Sequence, residues 1–213
     1  MDWLAAVDGY CERTGPGYWA EPVNALTNMA FLAAAAVIWP RVRGLPAGRG
    51  MVVLLAVIGV GSWMFHTHAN RLTGLMDVVP ILAFILSYVF VASRDFLQLR
   101  PLQAGLIAAA FLPYAMALVP LFGTIPFLRV SALYWPVPML ILIFAWLLRT
   151  TAPATARGLA LGAGVLTLSL VFRSLDGTLC AAFPLGTHFL WHLLNAVMLA
   201  WMVEVWRRHV MPR

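Results

Sequence analysis

Seven apolar runs, each about as long as a bilayer is thick, constrain this chain more than any other feature of its sequence. They lie at about 22–40, 50–69, 74–92, 101–120, 131–149, 155–174 and 185–206, and a helix needs about 20 mostly apolar residues to cross the hydrocarbon core. Turn and breaker residues separate them: Arg41, Arg43 and Arg49 around Gly44-Leu45-Pro46, the stretch from Arg94 to Pro101, and Thr150 to Arg157 with Pro153. Of the 213 residues, 62% are apolar and 10% charged, against about half and about a quarter in a water-soluble domain. Residues 1–213 therefore read as one domain, an all-α integral membrane bundle of seven transmembrane helices. No repeat, low-complexity stretch or linker divides it. Residues 1–21 lack the basic region and apolar core of a signal peptide and read as an acidic segment of the mature chain.

All 14 basic residues are Arg, so neither a retinal-type Schiff base nor a P-loop lysine is available. The formal charge of +6 could suggest nucleic acid, but the arginines stand singly and in pairs between apolar runs, the pattern of membrane anchoring. Their distribution also predicts orientation. With the N-terminus outside, the inner loops and tail carry Arg41, Arg43, Arg49, Arg94, Arg100, Arg149, Arg157, Arg207, Arg208 and Arg213. The outer side then keeps only Arg13, Arg71, Arg129 and Arg173. A ten-to-four split favours N-terminus out and C-terminus cytoplasmic.

Ionisable residues inside spans cost a few kcal/mol each unless they are paired or face a cavity, which makes them candidates for function. His66 lies late in the second span, Asp77 early in the third, and His188 and His192 early in the seventh. With the spans alternating in direction, all four fall at one depth, toward the outer side. His188 and His192 are four residues apart and share a helix face, with Asn195 one turn further along it; Ser62 has the same relation to His66. Three imidazoles without an evident fourth ligand form the inventory of a catalytic zinc site that keeps one position for water. Asp77 could move the proton of that water and Ser62 could donate to the oxyanion. Helix-to-helix hydrogen bonding is the plainer reading of any one intramembrane histidine, and it is retained for His68.

The stretch Gly61-Ser62-Trp63-Met64-Phe65-His66, then Asp77, then His188-Phe189-Leu190-Trp191-His192 resembles the SxxxH, D and HxxxH motifs of the alkaline ceramidase family. That family belongs to a superfamily of seven-helix membrane hydrolases that includes the adiponectin receptors. Near the N-terminus, Cys11-Glu12 and Glu21-Pro22-Val23-Asn24-Ala25-Leu26-Thr27-Asn28 are similar to the family's D-W-C-E and A-E-x-x-N-x-x-x-N elements. The resemblance implies zinc on His66, His188 and His192, Asp77 as the proton-transfer residue and Ser62 as the oxyanion donor. It also implies hydrolysis of a lipid amide such as ceramide to a long-chain base and a fatty acid. A calcium ion close to the zinc is implied too, on Glu12, Glu21 and Asp8. Here the sequence departs from the pattern: Asp8-Gly9-Tyr10-Cys11-Glu12 has one residue more than D-W-C-E, and Thr14 stands where the family has Asn.

Read as residues alone, Asp8, Glu12 and Glu21 could donate oxygens to a hard cation such as Ca2+ or form a solvated acidic face. Asn24 and Asn28, one turn apart, could orient site ligands or bond a neighbouring helix. Cys11 and Cys180 both fall on the outer side, where a disulfide persists; the expectation is a bond tying the acidic segment over the mouth of the bundle, with two unrelated thiols as the other reading. Arg173 and Asp176, near the end of the sixth span, could form an outer ion pair or meet a polar headgroup. Trp191, between the paired histidines, is expected to border a cavity. The leading function is a zinc-dependent membrane amidase whose lipid substrate enters from the bilayer. A b-type haem electron carrier, with haem between histidines of facing helices, and a metal-stabilised receptor or ion-translocating bundle are the alternatives.

Overall fold

The computed structural model describes residues 2–211. It is helical throughout, with no strand among the described residues beyond one isolated antiparallel bridge between Ala6 and Asn70. Six helices are long and apolar enough to cross a membrane: α1 Pro22–Val42, α2 Pro46–His68, α3 Arg71–Phe96, α4 Pro101–Gly123, α6 Pro153–Leu179 and α7 His188–Val210. Between α4 and α6 lies α5, Pro136–Leu147, with 12 residues. At 1.5 Å per residue it is about 18 Å long, short of the roughly 30 Å hydrocarbon core. The run expected at 131–149 is thus helical only in its middle. Pro136 and Pro138 suit the first turn of a helix but carry no N–H for the carbonyls four residues before them, so the regular helix begins at Pro136 and Ser131–Trp135 forms turns.

Proline punctuates the other elements in the same way. α2, α4 and α6 each open on a Pro in the first turn, where its missing N–H has no partner to lose. α1 is interrupted by a turn at Asn28 and tightens to a 3₁₀ turn at Trp39–Val42 around Pro40. α3 begins with a reciprocal cap: Asn70 accepts from the Thr73 N–H at 2.9 Å, and Thr73 accepts from the Asn70 N–H at 3.2 Å.

α2 and α7 are the most buried spans and α4 the least. α3 lies along α2, α6 along α7, and α1 contacts both α2 and α7. The apolar core runs through Leu55 and Ile58 of α2, Leu159 and Leu170 of α6, and Met202 and Val203 of α7. At one end of the bundle Glu204 is held by Arg207 and Arg208.

The N-terminal segment crosses the opposite end. It hydrogen-bonds to the α2–α3 turn through Val7 N–H to the Ala69 carbonyl at 2.7 Å and Arg71 N–H to the Ala5 carbonyl at 3.2 Å. It then reaches the end of α6, where Cys11 and Cys180 form the expected disulfide, with Cα atoms 5.2 Å apart. Closing a loop of that length restricts the unfolded chain strongly. Replacing both cysteines with serine is therefore expected to lower unfolding free energy by about 2–4 kcal/mol, read as a lower thermal midpoint in detergent. Reductant should lower the wild-type midpoint and leave the double variant unmoved.

Candidate metal and hydrolase site

The end covered by this strap collects the intramembrane polar residues. His66 comes from the last turns of α2, and His188 and His192 from the first turns of α7. All three are buried, and a potential ligand atom of each lies within 4.8 Å of those of the other two. Nε2 of His66, Nδ1 of His188 and Nε2 of His192 are buried with no hydrogen-bond partner among the described residues. Leaving one such group unsatisfied costs about 1–3 kcal/mol, and three imidazoles this close together call for a shared partner. A closely spaced set of three imidazoles suits a transition metal such as zinc.

The far side of two rings is fixed by other residues. His66 Nδ1 meets Glu21 Oε2 at 2.6 Å, and His192 Nδ1 meets Thr27 Oγ1 at 2.9 Å. With those Nδ1 atoms protonated and donating, the Nε2 lone pairs are left facing the cluster. His188 is held through its backbone, whose N–H donates to Asp176 Oδ1 at 2.9 Å, while Tyr10 stacks on its ring at 3.8 Å between centroids. Gly186 makes this cap possible. It has φ +67°, and a Cβ there would collide with Asp176 Oδ1.

Ser62 and Asp77 face the same space. Both line a cavity with His192, Trp191, Asn195 and Tyr134. The cavity adjoins a second chamber with mostly apolar walls, and Ile85, Val137, Met198 and Leu199 line both. The Tyr88 hydroxyl, on the wall of the second chamber, is buried without a partner among the described residues. A polar end and a long apolar extension are what an amphiphile with a hydrocarbon chain requires.

Several expected roles are not what the geometry brings about. Asp8, Glu12 and Glu21 do not gather: among the described residues, the group of His, Cys, Asp and Glu able to hold a metal is His66, His188 and His192. The Glu12 oxygens accept from the Val23 and Asn24 N–H groups at 2.6 and 2.7 Å, satisfying the open N-terminus of α1. Glu21 is divided between Arg13 and His66, and Asp8 is exposed. Burial alone would raise the Glu21 pKa, but His66 and Arg13 outweigh it and hold the carboxyl below its usual value. Arg173 and Asp176 do not pair either. Asp176 accepts from the N–H groups of Cys11, Thr187 and His188, and Arg173 donates to the Val130 carbonyl and to Ser131 Oγ.

Asn24 supports the site by donating to Glu21 at 3.2 Å. Asn28 donates to the Asn24 carbonyl at 2.8 Å, and Asn195 bonds Ser169 and the Trp191 carbonyl. Trp191 borders the cavity as expected. Tyr10, Arg13, Thr27 and Tyr134 join the site without having been singled out. For Thr27 a signal existed: it lies three residues beyond Asn24, a spacing that makes the two neighbours on the helix surface. A haem between facing histidines would need a flat slot, and imidazole centroids 4.7–5.1 Å apart leave none.

Residues 8–210, nearly the whole chain, match the family model described as Ceramidase. The chain belongs to the ceramidase family. No curated protein matches it. Membership in the ceramidase family supports a hydrolase acting on an amide bond, and the six long apolar helices support a multi-pass membrane protein with a lipid substrate.

Proposed function

We propose that this ceramidase-family chain is a zinc-dependent intramembrane hydrolase that cleaves the amide of a ceramide-like lipid into a long-chain base and a fatty acid. The observation that carries the reading is the meeting of three buried imidazoles, each with an unpartnered nitrogen, close to Asp77 and Ser62. His66, His188 and His192 would hold the metal. Bound there, zinc supplies Lewis acidity, lowering the pKa of water toward about 7 and polarising the amide carbonyl.

The remaining work falls to side chains of the protein. Asp77 accepts the proton of the attacking water as the new C–O bond forms and returns it to the amine nitrogen as the C–N bond breaks. Ser62 donates to the carbonyl oxygen as that atom gains negative charge. Glu21 and Thr27 keep two imidazoles in one tautomer, and the adjoining apolar chambers take hydrocarbon away from water. The site faces the extracytoplasmic side in this reading, as the arginine distribution suggests, and the substrate arrives from the lipid phase.

The test is to offer purified protein ceramide, an N-acyl amino acid and an ester-linked analogue of ceramide, following free fatty acid and amine by mass spectrometry. Ceramide is expected to be cleaved, with activity lost on stripping the metal and regained on adding zinc. Fully zinc-loaded protein that leaves every amide intact would sink the proposal in favour of a receptor or transport bundle.

A further inference from the structure

The N-terminal carboxylates invite a hard cation, yet the place is taken. The Arg13 side chain is only 5% exposed. Its Nε donates to Glu21 Oε1 at 2.5 Å, one terminal nitrogen to the Gly15 carbonyl at 3.0 Å and the other to the His66 carbonyl at 3.0 Å. One carboxylate and two backbone carbonyls are donor types that a calcium ion collects. Here they converge on a guanidinium, a planar cation with a fork of donors.

Arg13 thereby grips His66 twice. It holds the backbone carbonyl directly, satisfying one of the open acceptors at the end of α2, and it holds the ring through Glu21, whose second oxygen meets His66 Nδ1 at 2.6 Å. A divalent ion entering the same oxygens would meet a permanent positive charge at contact distance. Glu12 offers no relief, because both its oxygens accept from the backbone at the start of α1.

We propose that Arg13 is a built-in cation that takes the place of calcium at the strap, making the protein calcium-independent and acting as a positioning residue for His66. The calcium part stands without the hydrolase reading; the effect on zinc rests on it.

Wild-type protein is expected to show no calorimetric binding of Ca2+ and no shift in thermal midpoint at millimolar Ca2+. Arg13→Ala is expected to bind zinc 10–100-fold more weakly, the usual consequence of losing support behind a ligating histidine, and to melt earlier. Because the substitution vacates the oxygen set, millimolar Ca2+ should restore part of that midpoint. Arg13→Ala combined with Glu21→Gln should lose the rescue. Arg13→Lys keeps the charge without the fork and should give an intermediate zinc affinity with no response to Ca2+.

Calcium binding by the wild type, or wild-type zinc affinity in Arg13→Ala, would overturn the proposal. Should Arg13→Ala fold only with calcium present, it is supported; should it fail to fold at all, the wild-type titration and Arg13→Lys decide. A wild type that binds neither zinc nor calcium removes the hydrolase reading and leaves the built-in cation standing.

Discussion

Asp77→Asn is expected to keep zinc and lose turnover by about 10²–10⁴-fold, whereas His188→Ala is expected to lose both together. The two variants separate the proposed division of labour. Asn has nearly the shape of Asp, but it cannot take up and return a proton. His188 offers one of the three unpartnered nitrogens, and two imidazoles alone make a much poorer zinc site than three. Bound metal by elemental analysis and fatty acid release by mass spectrometry, measured on the same preparations, read the outcome. Asp77→Asn with turnover within a few-fold of wild type would remove the proton-transfer role. His188→Ala with full zinc would break up the triad. Ser62→Ala tests a weaker contribution, a single neutral donor to a developing charge, and should fall between Asp77→Asn and wild type.

Much of this site is legible in the sequence, and the reason is the bilayer. A buried histidine in a soluble protein is unremarkable by sequence, but in a span it carries a cost that marks it. Helical spacing then puts His188 and His192 on one face, and alternation of the spans sets His66 and Asp77 at their level. These inferences need only periodicity and direction, and the meeting of His66, His188 and His192 agrees with them.

What depended on loops was out of reach. By sequence Arg13 is only an outer basic residue, because nothing near it says that its partners are a carboxylate eight residues on and a carbonyl 53 residues on. Charge alone offers Asp176 to Arg173 or a headgroup, yet it caps α7 and holds Cys11, since backbone N–H groups at a buried helix start compete effectively for a carboxylate. The short α5 leaves a seventh span unconfirmed: an apolar run of the right length is regular helix only over Pro136–Leu147, because Pro136 and Pro138 have no N–H for the carbonyls before them.

Gly61→Ala should be the most damaging small substitution away from the reacting groups. A Cβ at Gly61 would collide with the Met76 carbonyl, so α2 and α3 can approach this closely only because residue 61 has no side chain. Ser62 and His66 follow on one of these helices and Asp77 is the next residue on the other. Backbone cannot yield as a flexible side chain would, and α3 must move outward, carrying Asp77 with it.

Overpacking of this kind costs about 1–3 kcal/mol in stability, and misplacing a catalytic group by about 1 Å can cost about 10²-fold in rate. Zinc should be retained, since all three histidines belong to α2 and α7. Gly50→Ala, on the same helix with nothing within 4 Å of the new Cβ, is the control: helix propensity alone acts there and should stabilise by up to about 1 kcal/mol. Thermal midpoints, bound zinc and turnover of the two variants distinguish a local collision from a general intolerance of α2 to alanine. If Gly61→Ala turned over substrate like the wild type, the position of Asp77 would have to be set by something other than the α2–α3 contact, and the coupling between Ser62, His66 and Asp77 would lose its structural cause.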